Sequence, residues 1–186
     1  GVLLGYKMLG SDINPVAIAG AEKNLEWFRN RYKISPGKFH AETSDAREVS
    51  KLVENLKKIG AFKTISGVVT EGYLGPMYTK FPAQSDIDKN FKELEELYTA
   101  SFQDFLKFLS SGDKVVICLP AYKYRDQYTM FPSLDFITKL GYNNVDLIPS
   151  ILSDDMPFLK LTERKTAIYD RKDQIVAREI VIFEKI

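Results

Sequence analysis

Apolar residues recur along the chain at two spacings that alternate, and this alternation predicts strands and helices in turn. Segments with apolar residues three or four apart are separated by short runs of β-branched and aromatic residues. The predicted strands are Tyr6–Asp12, Lys38–Ala41, Ile65–Thr70, Lys114–Leu119, Val145–Ile148, Ala167–Tyr169 and Ile175–Phe183. The predicted helices are Asn14–Arg31, Ala46–Ile59, Ile87–Leu109 and Leu134–Leu140.

Three of the predicted helices carry an apolar stripe, which indicates one buried face. Gly60 and Gly112 lie where the second and third helices should end, as glycine commonly does. The predicted stripes are Val16, Ala19, Leu25 and Phe28 in the first helix, Val49, Leu52, Val53 and Leu56 in the second, and Phe91, Leu94, Tyr98, Phe102 and Phe105 in the third.

Strands and helices in alternation predict an α/β fold, a doubly wound and mostly parallel sheet with right-handed crossovers and helices on both faces. The end of the chain differs, because two strand patterns flank the turn Arg171-Lys172-Asp173. This segment predicts a C-terminal antiparallel hairpin added to the sheet.

Composition narrows the class of protein. The 186 residues are 45% hydrophobic and 12% aromatic, which favours one globular domain. The net charge of +1 restricts any nucleic-acid surface to a local patch. A single cysteine, Cys118, excludes an intrachain disulfide framework and suits a reducing cytoplasm, and no apolar run reaches the ~20 residues of a membrane helix. The chain begins within an apolar segment, Gly1–Gly5, so we expect part of the domain to precede it.

Polar residues collect where four predicted strands end, and open α/β sheets bind ligands at those ends. The four segments are Gly10–Pro15, Thr43–Ala46, Thr70–Pro76 and Leu119–Arg125. The third is the most unusual, because a simple turn needs glycine or proline but not a neighbouring carboxylate and tyrosine.

Each strand end allows two interpretations. Asp12 can accept both hydroxyls of a ribose, or the segment is only structural and Asp12 or Asn14 caps the next helix. Asp45 can accept an adenine amino group, or it too can be a helix cap. The segment Leu119–Arg125 suits base stacking and phosphate binding, or it is a solvated loop.

Taken together, the strand ends resemble those of class I S-adenosylmethionine-dependent methyltransferases, which have a Rossmann-like sheet. Three segments are similar to the tRNA guanosine-N2 methyltransferase group, whose members usually add an N-terminal THUMP domain. These segments are GSDINPVAIAGAEKNLEW (Gly10–Trp27), TEGYLGP (Thr70–Pro76) and YDRKDQIVAREIVIF (Tyr169–Phe183). The resemblance covers nearly the whole chain and identifies residues 1–186 as a methyltransferase catalytic domain that is incomplete at its N-terminus.

The resemblance implies S-adenosylmethionine as cofactor and RNA, with tRNA expected first, as partner. The implied cofactor-binding residues are Asp12, Ile13, Asp45, Ala46 and Glu71. The implied catalytic residues are Glu71, Gly72 and Tyr73, and the implied substrate-binding residues are Tyr73, Leu74, Gly75, Pro76, Tyr122, Lys123 and Arg125.

The chemistry of amine methylation explains the composition of the turn. The lone pair of an exocyclic base amine is drawn into the ring, and acceptors aimed at its N–H groups direct that lone pair at the methyl sulfonium. Glu71 and the carbonyl beside it are candidate acceptors. Tyr73 would stack on the base, which must leave its helix to reach the site.

The sequence departs from the family in two places. The Gly-rich loop Asp-x-x-x-Gly-x-Gly, which receives the methionine part of the cofactor, is absent, so we expect weak cofactor binding. Gly72 stands where the family favours proline, whose φ is fixed near −65°. We therefore expect a looser turn.

Other functions remain in competition. N6-adenine methylation uses a similar turn, and a non-catalytic methyltransferase-like module that binds RNA or a protein would tolerate both departures. A dehydrogenase is disfavoured, because its phosphate-binding glycines are absent as well. We expect no metal site at His40, a core thiol at Cys118, and a structural pair between Arg178 and Glu179.

Overall fold

The chain forms two compact units, residues 1–64 and residues 65–186. The computed structural model describes residues 1–149 and 161–186. None of the described helices is long and apolar enough to cross a membrane. The expectation of a single catalytic domain stays a prediction.

The first unit pairs two strands in parallel and connects them by a long helix. Met8 lies opposite Phe39 in this pair, and Asp12 lies opposite Thr43. The elements in order are a 3-10 turn (Val2–Leu4), β1 (Met8–Asp12), α1 (Pro15–Tyr32), β2 (Phe39–Thr43) and α2 (Val49–Lys58).

The buried stripe of α1 differs from the predicted one. Val16 is 77% exposed and Ala19 is exposed, whereas Ile18 is buried. The prediction is wrong there, because it started the stripe in the first turn of the helix. The less exposed positions follow helical spacing from Ile18 and are Ile18, Ala21, Leu25, Phe28 and Arg29. In α2 the prediction is confirmed, since Leu52, Val53 and Leu56 are buried.

The second unit is built on a six-stranded mixed sheet, so the α/β class is confirmed. The strand order is β3-β4-β8-β6, with β5 added to β4 and β7 added to β8. The elements are β3 (Gly67–Thr70), α3 (Gln84–Phe105), β4 (Lys114–Tyr124), β5 (Gln127–Thr129), α4 (Asp135–Thr138), β6 (Tyr142–Val145), β7 (Ala167–Tyr169) and β8 (Val176–Lys185).

Strand β8 makes most of this sheet antiparallel. It lies between β4 and β6 and runs opposite to both, and only β3 and β4 pair in parallel. The expectation of a mostly parallel sheet therefore holds for the directions of β3, β4 and β6 but not for their pairing. The predicted C-terminal hairpin is confirmed, since β7 and β8 pair in antiparallel register.

Two predicted strand boundaries are wrong. Strand β4 does not end at Leu119, because its pairing with β8 continues through Tyr122 opposite Val176. Strand β6 (Tyr142–Val145) shares only Val145 with the predicted segment Val145–Ile148 and includes Asn143 and Asn144. Backbone pairing with β8 decides these positions, and it does not require apolar side chains.

The core of the second unit lies between α3 and the sheet. Phe102 meets Phe183 and Tyr142 edge to face, with ring centroids 5.3 and 5.1 Å apart. The Tyr142 hydroxyl donates to the Phe102 carbonyl at 3.1 Å, and burial raises the pKa of Tyr142 to about 12. The predicted stripe of this helix is confirmed, since Phe91, Leu94, Tyr98, Phe102 and Phe105 are all buried.

Glu179 is fully buried and forms a forked ion pair with Arg164. Thr166 also donates to this carboxylate, at 2.6 Å, so the buried charge has several hydrogen-bond donors. The expected pair between Arg178 and Glu179 is wrong, because successive residues of a strand point to opposite faces.

Candidate functional site

The turn that follows β3 depends on glycine. Gly72 has φ +66° and Gly75 has φ +99°, both in the left-handed region. The Gly72 N–H donates to Thr70 Oγ1 at 3.0 Å. A proline could not adopt this φ, and it has no N–H with which to donate this hydrogen bond. The turn formed by Glu71–Pro76 therefore differs from one with proline in the second position.

Tyr98 of α3 fixes the backbone of this turn. Its hydroxyl donates to the Tyr73 carbonyl at 2.6 Å, and a Cβ on Gly72 would lie 3.3 Å from its ring. Burial raises the pKa of Tyr98 above its ordinary value, so the hydroxyl remains a donor throughout the physiological range.

Asn90 of α3 holds the next residues of the turn. Its side-chain amide donates to the Leu74 carbonyl at 3.3 Å and to the Tyr122 hydroxyl. A Cβ on Gly75 would lie 2.6 Å from Asn90 Cγ and closer still to its amide atoms. The turn backbone and the core helix are thus packed without room for a side chain at position 75.

Arg178 of β8 binds the carboxylate of Glu71. Its Nε and Nη2 lie 2.9 and 2.8 Å from the same oxygen, Glu71 Oε1, and its Nη1 donates to Gln174 at 2.9 Å. Glu71 is exposed, whereas Arg178 is mostly buried. The sequence prediction missed this residue, although the alternation of β8 already separates Arg178 from Glu179.

The exposed part of the turn combines an acceptor and an aromatic ring. Tyr73 is 59% exposed. The carbonyls of Tyr73 and Leu74 accept hydrogen bonds from α3, whereas that of Gly72 accepts none from the part of the chain that the structure describes. Glu71 and the Gly72 carbonyl can therefore accept the N–H groups of an amine, and Tyr73 can stack on a planar ring.

Cys118 lies half-buried in β4. Burial raises the pKa of its thiol, and the negative charge of Glu71 adds to that shift. The thiol is therefore protonated at neutral pH and is a weak nucleophile.

The predicted fourth strand end is the second half of β4. Tyr122 is completely buried and packs edge to face against Phe91 and Tyr78, with centroids 5.6 and 5.9 Å apart. It therefore supports the turn through Asn90 and offers no surface for stacking on a base.

Lys123, near the end of β4, and Arg125, just after it, have different surroundings. Lys123 pairs with Asp170, which also accepts from the Tyr128 hydroxyl at 2.9 Å. The hydrogen bond from Lys123 lowers the pKa of Asp170 below its ordinary value. Arg125 is exposed in the turn after β4, and its guanidinium lies 5.4 Å from the Tyr124 ring centroid.

In the first unit, the ends of β1 and β2 lie side by side. The Ser44 N–H donates to the Asp12 carbonyl at 3.0 Å. Asp12 Oδ1 accepts from the Asn14 N–H at 2.7 Å, and Asn14 in turn caps α1 by accepting from Val16 at 2.9 Å. Asp12 Oδ2 accepts no hydrogen bond within residues 1–149 and 161–186, so this carboxylate fits the role of a diol acceptor.

Asp45 is engaged on both oxygens by Arg47. Oδ1 accepts from the Arg47 N–H and Nε at 2.9 Å each, and Oδ2 lies 2.6 Å from Nη2. The side-chain hydrogen bond lowers the pKa of Asp45. Asp45 could accept an adenine amino group only after Arg47 moved. Ile13 and Ala46, the neighbouring candidates, are exposed.

His40 lies in β2 with its Nε2 3.0 Å from Glu42. Among residues 1–149 and 161–186, no group of three or more His, Cys, Asp or Glu side chains is arranged to hold a metal ion.

Comparison with known proteins gives structural similarities only. No protein-family model matches the chain, and no curated protein matches its sequence. TrmN from Thermus thermophilus is 13% identical, with a TM-score of 0.45 over 96% of this chain and 36% of its own length. A proposed rRNA methylase from Clostridium thermocellum is 14% identical, with a TM-score of 0.42 over 96% of this chain and 74% of its own. A proposed DNA modification methylase, also from Thermus thermophilus, is 17% identical, with a TM-score of 0.37 over 76% of this chain and 52% of its own.

Proposed function

We propose that this protein transfers the methyl group of S-adenosylmethionine to an exocyclic amine of a nucleobase. The observation that supports this most is the carboxylate of Glu71, which Arg178 holds on a glycine turn beside the exposed ring of Tyr73. An acceptor and a stacking surface in adjacent positions suit a planar amine better than a hydroxyl or a carboxylate substrate.

The reaction needs orientation more than acid–base chemistry. The bound cofactor would supply an electrophilic methyl group to the amine nitrogen and would leave as a neutral thioether. Glu71 accepts one N–H of the amine and turns the nitrogen lone pair toward the methyl group. The amine must lose one proton on methylation, and the Glu71 carboxylate can accept it. Tyr73 stacks on the base and limits its rotation.

The cofactor would supply the methyl sulfonium. We assign its ribose to Asp12 and Ile13 and its adenine to Asp45 and Ala46, and we keep Glu71 as a further residue proposed to bind it. Asp12 fits this assignment as it stands, since one of its oxygens has no described partner. Asp45 fits it once Arg47 releases the carboxylate.

We propose guanine N2 in tRNA as the first acceptor to test, on the resemblance of three segments of the chain. The turn residues Tyr73, Leu74, Gly75 and Pro76 would contact the base, and Lys123 and Arg125 the phosphates. An upstream THUMP-type domain would supply further RNA affinity. Adenine N6 is the alternative acceptor, because the same turn geometry serves both amines.

Glu71→Gln tests the role of the turn. Gln keeps the shape but weakens the acceptor, so we expect methyl transfer to slow by roughly 100- to 1,000-fold with unchanged affinity for S-adenosylmethionine. Tyr73→Ala should lower both rate and RNA affinity, whereas Tyr73→Phe keeps the stacking ring and should be nearly silent. The measurement is single-turnover transfer of labelled methyl to unmodified tRNA by the native polypeptide.

Two controls sharpen this test. Glu184→Gln changes an exposed acid on β8 that pairs with Lys114, and it should not alter the rate. RNA in which inosine replaces guanosine lacks the N2 amine but keeps adenine N6, so it separates the two acceptors. A full rate in Glu71→Gln, or loss of cofactor affinity in place of rate, would contradict the proposal.

A further inference from the structure

We infer that Arg178 is a positioning residue for the reaction, whose task is to fix the orientation of the Glu71 carboxylate. The inference rests on the proposed function of Glu71. It concerns a side chain that contacts Glu71 across the sheet but has no assigned part in binding the cofactor or the substrate.

The two carboxylate oxygens of Glu71 have different hydrogen-bond partners. Both Arg178 donors that reach this side chain go to Oε1, at 2.9 and 2.8 Å, and Oε2 accepts no hydrogen bond from the described residues. The carboxylate plane is thus set by Arg178 while the second oxygen is left to accept an N–H. Glu71 has no comparable restraint of its own, because it is exposed at the end of an edge strand.

Arg178 is itself held rigidly. It lies in β8 at the centre of the sheet, in register with Pro120 on one side and Tyr169 on the other. Its third guanidinium nitrogen donates to Gln174, and only 19% of its side chain is exposed. A guanidinium that is fixed on several sides can hold a carboxylate of a turn at a fixed position relative to the sheet.

Stability alone does not account for this pair. An ion pair with one exposed partner usually stabilises a fold by little. Elsewhere in the same sheet, β4 and β8 carry an ordinary ion pair between Lys114 and Glu184, which are 2.8 Å apart and both exposed. Lys114 provides a matched control, because it lies in the same sheet and contacts no residue of the turn.

The test compares Arg178→Ala, Arg178→Lys and Lys114→Ala in the native polypeptide. We expect Arg178→Ala to lower kcat by about 10- to 100-fold, because a carboxylate misplaced by about 1 Å forfeits much of its orienting effect. KM for tRNA and affinity for S-adenosylmethionine should stay within about twofold. Arg178→Lys should recover only part of the rate, because lysine lacks the planar fork. Millimolar guanidinium should restore activity to Arg178→Ala and not change Lys114→Ala.

Each outcome decides between the claims. A native rate in Arg178→Ala overturns the inference and leaves the proposed function intact. A lower rate that guanidinium does not restore and that is matched by a lower unfolding temperature shows a merely structural role. If the native polypeptide transfers no methyl group to any nucleic acid amine, the proposed function and the inference both fail.

Discussion

The acids at the strand ends of the two units are held in opposite ways. In the first unit, Asp12 and Asp45 bind groups two residues away, the Asn14 N–H and Arg47. In the second unit, Glu71 binds Arg178, which is 107 residues away. The first arrangement needs only a local turn, whereas the second needs the assembled sheet.

This difference separates carboxylates that are part of a local turn from a carboxylate that is oriented by a distant strand. Short-range bonds from Asp and Asn arise wherever a strand turns into a helix, because the local N–H groups need acceptors. The helix-cap interpretation is wrong for Asp12 and Asp45 themselves, since Asn14 caps α1 and Glu48 stands at the N-cap of α2. A carboxylate that is oriented from a distant strand has no such local reason, so Glu71 is the better candidate for chemistry.

The space around the backbone also differs between the two units. The second-unit turn is packed against Tyr98 and Asn90, and it leaves no space at Gly75. In the first unit, no described atom beyond the chain neighbours of Gly20 and the backbone of its own helix α1 lies within 4 Å of the place where a Cβ would be. Substitutions at these two glycines should therefore give opposite results.

The largest effect is expected for Gly75→Ala. The new Cβ would overlap the Asn90 amide, and alanine at φ +99° is strained as well. Overpacking of about 1–3 kcal/mol and left-handed strain of about 1–2 kcal/mol together predict a destabilisation of about 2–5 kcal/mol. Denaturant unfolding monitored by tyrosine absorbance measures this free energy.

Gly20→Ala is the matched control, because it adds the same methyl group in a helix interior. It should be neutral or stabilise the protein by up to about 1 kcal/mol. If Gly75→Ala also proved neutral, the turn would be loosely packed and the contrast between the two regions would be lost.

The sequence was sufficient where one periodic pattern governed a whole element. The stripe of α3, from Phe91 to Phe105, predicted its buried face because large apolar residues at helical spacing leave no alternative. The C-terminal hairpin was predictable for a similar reason, since two strand patterns flank a polar turn. The sequence also identified the acid and the glycines of the turn as more than a simple turn requires.

The sequence was insufficient where pairing across the sheet decided the outcome. The sequence predicted a strand that ends at Leu119, but pairing with β8 carries β4 past Pro120 to Tyr122. Tyr122 looked available to a substrate for this reason and is buried instead. Arg178 could not be assigned to Glu71 from any local pattern, because their contact forms only when β8 enters the sheet.

A smaller effect is expected for Tyr98→Phe, which removes the hydroxyl that donates to the Tyr73 carbonyl. The loss of one buried hydrogen bond should cost about 0.5–1.5 kcal/mol. Tyr142→Phe removes an equivalent bond to the Phe102 carbonyl and should cost a similar amount. Only Tyr98→Phe should speed amide hydrogen exchange in the turn. Equal exchange in the two variants would show that Tyr98 does not restrain the turn.

The smallest effect is expected for Arg47→Ala, and it tests the local character of the first unit. The pKa of Asp45 lies below its ordinary value because Arg47 donates to the charged form, so this pairing stabilises the fold above the unfolded pKa of about 3.9 and is lost as pH falls through the lower folded pKa. Removing Arg47 should move the pKa of Asp45 upward in a carbon-13 titration, with little change in stability at neutral pH because the pair is exposed to solvent. The same change frees the carboxylate, and one more hydrogen bond to adenine would tighten cofactor binding by about 2- to 10-fold in calorimetry. Asp45→Ala, the companion variant, should weaken binding to a similar degree.

If Arg47→Ala weakened cofactor binding as much as Asp45→Ala, the two residues would act as one unit on the ligand. Asp45 would then no longer be a carboxylate that Arg47 must release before it can bind.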